Sequence, residues 1–408
     1  MVGNLRKNRI TDIVLLIICW IFYSMFDIRG LFILIAVSLF TYMGGKFITG
    51  SRQAGDTKKA GMFCGLLVAF LIGMLCYFKY SPEVALPVGM SFYMLMAISF
   101  LADCLKGSFD EYPPVLDVCI YISFFPTILS GPITKAKDFI PQVQNRNSLT
   151  KERFTKGLWL IAIGLFMKLC MADRLSVSVD KVYATPLVYS GLTLFFNSIG
   201  YSLQLLFDFA GYSNMAAGAA TLLGFDIPVN FNLPYMATNP SEFWNRWHIS
   251  LSSWLKEYVY IPLGGNRKGE RRTYINILLV MIISGLWHGS TVNFLIWGIF
   301  HGIGQMVHRA VCGKRKDAKS SPAVRILSMI LNFLFVNFLW IPFRVNTLSD
   351  TRTVISRIFT LADGADYYYV YTFIFGIMLL IVQFIGSRYN NGNSPVKPLP
   401  FDRLYARV

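Results

Sequence analysis

Gly30-Leu31-Phe32-Ile33-Leu34-Ile35-Ala36-Val37-Ser38-Leu39-Phe40-Thr41-Tyr42-Met43-Gly44-Gly45-Lys46-Phe47-Ile48-Thr49 is a twenty-residue run with one charged side chain, near its end. About 20 mostly apolar residues are what a helix needs to cross the hydrocarbon core of a bilayer. Comparable runs lie on both sides: Asp12–Phe26, Gly61–Phe78, Ala85–Leu105, Gly157–Met171, Leu187–Leu206, Tyr274–Leu286, Val292–Val307, Ile326–Ile341 and Tyr369–Ile385. Ten spans are therefore predicted. Composition agrees, because 54% of the 408 residues are hydrophobic and only 15% are charged, too few to clothe a water-facing surface. An aromatic content of 15% excludes a disordered chain. The first run follows Arg6, Lys7 and Arg9 as a signal peptide would, but Asp27-Ile28-Arg29 leads straight into the next run with no small-residue cleavage pattern. It reads as a retained span.

Three further stretches are apolar but interrupted. Val115–Ile133 contains Pro126, Gly131 and Pro132, Gly211–Phe225 is rich in Gly and Ala, and Ile249–Leu263 is amphipathic. Such breaks suggest re-entrant or interfacial segments. The net charge of +16 sorts by side. With the N-terminus inside, 30 of the 38 Lys and Arg fall on the inner side and 7 on the outer. A full crossing at Val115–Ile133 would send Lys135, Lys137, Arg146, Lys151, Arg153 and Lys156 outside, so this stretch is expected to enter and leave on one side. Both termini are expected in the cytoplasm, with an irregular tail at 390–400. The surplus of bases is a sidedness signal and does not imply nucleic acid. Seven cysteines without a CxxC pair read as small buried side chains rather than a metal or disulfide framework.

An ionisable group at membrane depth is expensive unless it is used or satisfied, so the four histidines direct the search for chemistry. His288 stands in Ser284-Gly285-Leu286-Trp287-His288-Gly289-Ser290. Its glycines allow the helix to break and another group to approach, and an imidazole can serve as general base near neutral pH. The alternative is a histidine hydrogen-bonded to a neighbouring helix. His248 stands in Glu242-Phe243-Trp244-Asn245-Arg246-Trp247-His248-Ile249-Ser250. If this block is one helix, Trp247, Leu251 and Trp254 share a face with His248 beside it. An interfacial aromatic belt explains the tryptophans but explains Asn245, Arg246 and His248 less well. Around His301, Gly298, Gly302 and Gly304 suggest close helix packing. His308, beside Arg309, reads as solvated. Asp208 reads as a residue at a span end that caps or pairs with a base. Gly264-Gly265-Asn266 is a turn, and Arg267 and Lys268 open a basic edge able to hold phosphates or an acidic carrier. No nucleophile elbow, HExxH or P-loop is present.

Six of these stretches, in order, resemble the membrane-bound O-acyltransferase family in its alginate O-acetyltransferase-like branch. They are Val88-Gly89-Met90-Ser91-Phe92-Tyr93 to Asp103, Phe124-Phe125-Pro126 with Ser130-Gly131-Pro132-Ile133, Asp208 to Ser213, Glu242 to Arg267, Gly285 to Gly289, and Trp297 to Gly302. The resemblance implies an all-α polytopic fold of about 10–11 transmembrane helices, with re-entrant elements around a central tunnel. It implies one domain over 1–408 with a family core at about 85–310. It further implies acyl transfer from a cytoplasmic thioester, acyl-CoA or an acyl carrier protein, to a hydroxyl, with His288 and His248 matching the family histidines. Trp244, Asn245, Arg246, Trp247, Trp287, Asp208, Arg267 and Lys268 are the expected substrate-binding residues. No metal or resident cofactor is expected. Expected partners are membrane lipids, a glycan polymer acceptor, a cytoplasmic acyl carrier and an extracytoplasmic acetyl-transfer protein, in a cell membrane. Longer alginate-type relatives carry further C-terminal spans, and this chain is nearer in length to the D-alanyl transferases of teichoic acid modification. Its Tyr260 to Arg267 block nevertheless has the alginate-type form. D-alanyl transfer and a non-enzymatic transporter or flippase are the alternatives.

Overall fold

The computed structural model describes residues 9–312 and 321–389; the expected tail at 390–400 lies outside them. The described residues form helices and no strand, the architecture of an all-α membrane protein. In chain order these are α1 (Arg9–Ser24), α2 (Ile28–Gln53), α3 (Thr57–Tyr80), α4 (Met90–Lys106), α5 (Val115–Ser123), α6 (Phe125–Ile128), α7 (Ala136–Gln144) and α8 (Lys151–Leu165). Then come α9 (Asp173–Ala184), α10 (Gly191–Leu222), α11 (Pro240–Trp244), α12 (Ile249–Leu255), α13 (Glu270–His288), α14 (Val292–Cys312), α15 (Pro322–Arg344), α16 (Leu348–Phe359) and α17 (Val370–Tyr389). Phe166–Ala172 and Lys256–Tyr260 are wider π-helical turns. By length and composition, α2, α3 and α15 are each sufficient to cross a membrane. The outward faces of α1, α2, α3 and α15 carry large exposed apolar side chains, among them Ile17, Phe32, Phe70 and Leu331. A water-soluble protein does not expose so much apolar surface, whereas lipid accepts it.

The chain forms two compact units, each discontinuous in sequence. The first comprises 1–164, 212–229 and 253–262. Asp27 caps the start of α2 by accepting from the Gly30 N–H at 2.7 Å, and Asp56 caps α3 through the Lys59 N–H at 2.9 Å. In this unit α2 packs on both α3 and α4. The interrupted stretch after α4 is a hairpin. Nine-residue α5 is only about 14 Å long, half the hydrocarbon thickness. Its entry is held where α1 begins, by Arg9 on Asp117 at 3.3 Å and Gln144 on Asp117 at 3.0 Å. It climbs to α6, whose Ile128 carbonyl lies against Gly89 at the start of α4. Gly89 has φ +72°, and a Cβ there would sit 2.3 Å from that carbonyl oxygen. The chain then returns, with Tyr121 Oη joining the two legs through the Thr134 carbonyl at 2.9 Å. It leaves where α4 ends, the Lys137 N–H donating to Asp103 at 3.2 Å. Arg146 next pairs with Asp12 at the start of α1 and covers the Phe225 ring. Entry and exit therefore lie on one side, with the bases that the hairpin carries.

Gly211–Phe225 is not interrupted: α10 runs unbroken to Leu222. Its Gly218 instead lets the α8 backbone approach, since a Cβ there would meet the Gly157 carbonyl at 2.5 Å. Two of the cysteines, Cys76 and Cys170, are exposed rather than buried.

The second unit holds 165–211, 230–252 and 263–408. Here α13 and α14 touch backbone to backbone. A Cβ at Gly285 would lie 2.3 Å from the Phe294 carbonyl, and one at Gly298 would lie 2.4 Å from the Met281 carbonyl. Lys168, in the first π-helical turn, pairs with Asp173 at 2.8 Å and with Asp208 at 2.7 Å. Such turns widen a helix by one residue and often redirect side chains at functional positions.

Gly298→Val should force α13 and α14 apart and destabilise the purified protein by about 1–3 kcal/mol or more, read as a fall in melting temperature. A neighbouring exposed change such as Phe300→Leu should leave it near the parent. In a background freed of native cysteines, Ser148→Cys should be labelled only from the side that labels Ser51→Cys; labelling from the other side would overturn the hairpin.

Candidate active site

The tryptophan–histidine block is not one helix. Asn239 accepts from the Glu242 N–H at 2.8 Å, and Pro240 begins α11, which ends at Trp244. Helix resumes only at Ile249. Trp247 and His248 thus lie in the link, not on a helical face shared with Leu251 and Trp254. Distant residues hold the link open. Asn232 N–H donates to the Arg246 carbonyl at 2.9 Å, Ile249 N–H to the Asn230 carbonyl at 3.0 Å, and Ser250 Oγ to Asn230 Oδ1 at 2.6 Å. At the turn, His248 adopts φ +43°, a left-handed conformation that costs about 1–3 kcal/mol for a residue other than glycine.

His248 is 1% exposed, and neither of its ring nitrogens has a hydrogen-bond partner among the described residues. Its ring lies edge-on to Phe209 at 4.6 Å between centroids and 6.5 Å from the ring of His288. His288 is the last residue of α13, half-buried. Trp287, Trp297 and Phe343 stand edge-on around it at 4.9, 5.1 and 5.2 Å. The expected glycine frame has a defined use: Gly285 admits the Phe294 backbone, Gly289 lies against the Phe294 ring, and the helix stops between them. Two imidazoles thus share an aromatic-walled site, one anchored at a helix end and one in a strained turn.

Trp244 is buried, and its indole N–H donates to His301 Nδ1 at 3.3 Å. That bond engages the indole and leaves the His301 ring proton on Nε2. His301 is fully buried against Phe243, Trp297 and Phe335. Trp247 is also buried, stacked on Phe243 and packed on Trp340. Asn245 is exposed at the end of α11. Arg246 is bound by Glu242, Nε and Nη2 meeting Oε1 at 3.0 and 2.8 Å. Burial alone would raise the Glu242 carboxyl, but hydrogen bonds from Thr238 and the Arg246 charge outweigh it and hold it below the ordinary value. The guanidinium expected to bind substrate is therefore already paired. Asp208 lies within the 32-residue α10 and is paired with Lys168, the base it was expected to find. Arg267 and Lys268 are exposed in the turn before α13. The nineteen residues of α13 span about 28 Å, which puts these bases at the opposite end of that helix from His288.

Trp297, Phe343 and Phe209 complete the surroundings of the two histidines and were not singled out from the sequence as site residues. The indole N–H of Trp297 and the hydroxyl of Ser284, one turn before His288, are buried without a hydrogen-bond partner among the described residues. Their signal was spacing: Ser284 stands four residues before His288, and Trp297 four before His301. Among the described residues no group of three or more His, Cys, Asp or Glu is placed to hold a metal ion.

Comparison with known proteins adds a separate line. The model of the MBOAT family, membrane-bound O-acyltransferases, matches residues 5–348. The chain is 32% identical over 380 residues to the probable alginate O-acetylase AlgI of Pseudomonas putida, covering 88% of this chain and 77% of that protein. It is 33% identical over 378 residues to a peptidoglycan O-acetyltransferase of Helicobacter pylori, covering 82% and 71%. With a teichoic acid D-alanyltransferase of Bacillus subtilis the identity is 28% over 344 residues, covering 76% and 84%.

The bond from Trp244 to His301 should be measurable. In a double-mutant cycle of Trp244→Phe and His301→Phe, the two losses of stability should fall short of additivity by about 1 kcal/mol. Full additivity would show that the pair contributes nothing.

Proposed function

The chain belongs to the membrane-bound O-acyltransferase family and is an O-acyltransferase, and from that premise we propose that it moves an acetyl group from a cytoplasmic thioester to a hydroxyl of a cell-envelope polysaccharide. The observation that carries this reading is the pairing of His288 with His248 inside one aromatic-walled site. Acetyl is preferred to D-alanyl because the two O-acetylating relatives match at 32% and 33% identity over 380 and 378 residues, whereas the D-alanyltransferases match at 28% over 344 residues or at 32% over only 246.

His288 takes the proton from the attacking hydroxyl as its oxygen adds to the thioester carbonyl. The carbonyl oxygen becomes negative and is met by a nearby donor. Trp297 Nε1–H and a ring N–H of His248 are the candidates, both buried and without a protein partner. The tetrahedral intermediate then collapses, the C–S bond breaks, and the thiolate recovers the proton from His288. Aromatic walls keep water away from the thioester, which limits hydrolysis. Trp287 is the substrate-facing wall beside His288. Arg267 and Lys268, at the far end of α13 from His288, draw the anionic donor toward the protein. Asp208 acts through Lys168 by fixing the π-helical turn. The protein sits in the cell membrane with both termini in the cytoplasm, and the acceptor is the polymer itself or an extracytoplasmic partner that passes the group on.

Envelope ester content in cells carrying His288→Ala at normal protein level tests the reading. Acyl transfer should fall about 10²- to 10⁴-fold. Unchanged esterification would refute the enzymatic assignment of His288. Mass spectrometry of the released acyl group should find acetate; D-alanine would move the assignment to the other branch.

A further inference from the structure

In the first unit, four lysines gather on one cavity. Lys106 ends α4, Lys135 and Lys137 lie on the returning leg of the hairpin and the start of α7, and Lys256 begins the second π-helical turn. With Glu257 they line a space of about 490 Å³. Glu257 meets Lys135 at 2.7 Å and Lys106 at 3.6 Å, and also bonds Lys137. Partial burial opposes its ionisation, but the two bonded lysines outweigh that and bring its carboxyl down to about 2.

The cluster is fixed from behind. Asp103, fully buried, accepts from Tyr258 Oη at 2.9 Å and from the Lys137 N–H, and Lys106 stands over the Tyr258 ring at 4.4 Å. Four lysines stand around Glu257, with Asp103 buried beneath the floor and the Asp138 charge acting on Lys137 from α7. The bases outnumber the carboxylates in a concave space, an arrangement that concentrates anions. A phosphate ester is anionic at neutral pH and offers several acceptor oxygens to such a group of ammonium donors. Lysine is also a common phosphate partner.

We propose that Lys106, Lys135, Lys137 and Lys256 form a phosphate-ester binding cavity in which Glu257 is an internal counter-ion that competes with the ligand. The site is separate from the His288 pair and does not depend on the acyl-transfer reading. The ester can come from a soluble nucleotide-type ligand or from a lipid headgroup.

The test uses the full chain in nanodiscs. In phosphatidylcholine discs, coenzyme A is titrated as a soluble probe bearing phosphate esters. In discs containing phosphatidylglycerol, native mass spectrometry counts retained anionic lipid. Lys106→Gln with Lys256→Gln, which leaves the two closest Glu257 bonds in place, should weaken binding about tenfold, and Glu257→Gln should tighten it several-fold. Weakening confined to coenzyme A assigns a soluble ester, and loss confined to phosphatidylglycerol assigns a lipid. If neither probe responds to either change while the variants melt like the parent, the proposal is wrong. Binding is read without turnover.

Discussion

In the second unit two helices touch backbone to backbone. Gly285 and Gly298 let α13 and α14 meet with no side chain between them. In a lipid-facing bundle, hydrocarbon offers little drive for helices to associate, so close packing of this kind has to supply it. The contact also sets the register of everything at the end of α13. It puts Trp297 against His288 on one side and against His301 on the other. Through the indole of Trp244, His301 then anchors the short helix whose continuation delivers His248. One glycine pair therefore determines the spacing between two imidazoles that are forty residues apart in the chain.

A second constraint is electrostatic. Charged groups near a bilayer must be paired or brought to water. In the first unit they are collected at one end, where α1 begins and α4 finishes, and there Asp12, Asp117, Asp103 and Glu257 each draw in bases from the hairpin and its flanks. The pairs that stitch the hairpin in place are also what oblige it to turn back. Breaking one partner of the buried Asp12–Arg146 pair would strand the other, a loss of about 3–5 kcal/mol in comparable cases. The pairing of Lys168 with Asp173 and Asp208 is the corresponding solution in the second unit.

Much of this was visible in the amino-acid order, because length and apolarity are local properties. The spans fell where helices form, and Pro126 and Gly131 announced the hairpin. The short amphipathic helices α9 and α16 were not seen, since neither is apolar enough to stand out from the connections. The break between Trp244 and Ile249 was missed for a different reason. It is enforced by Asn230 and Asn232, ten or more residues away, and nothing in the block itself forbids a continuous helix. Arg246 looked available to a substrate when read apart from its neighbours. Glu242, four residues earlier, was the local clue that it was already engaged. The distance from Arg267 to His288 could have been read directly from the helical rise. Which histidines would meet could not, because that depends on how α10, α13 and the link fold together.

His248 stands where the backbone favours a different residue. Glycine or asparagine would adopt its left-handed turn with less strain, and neither would leave an imidazole buried without a hydrogen-bond partner. Selection for folding and selection for chemistry should therefore disagree at this position. A library at residue 248 screened only for expression would drift away from histidine. The same library screened for ester in the envelope would return to it. The gap between the two outcomes would measure how much stability the site forgoes.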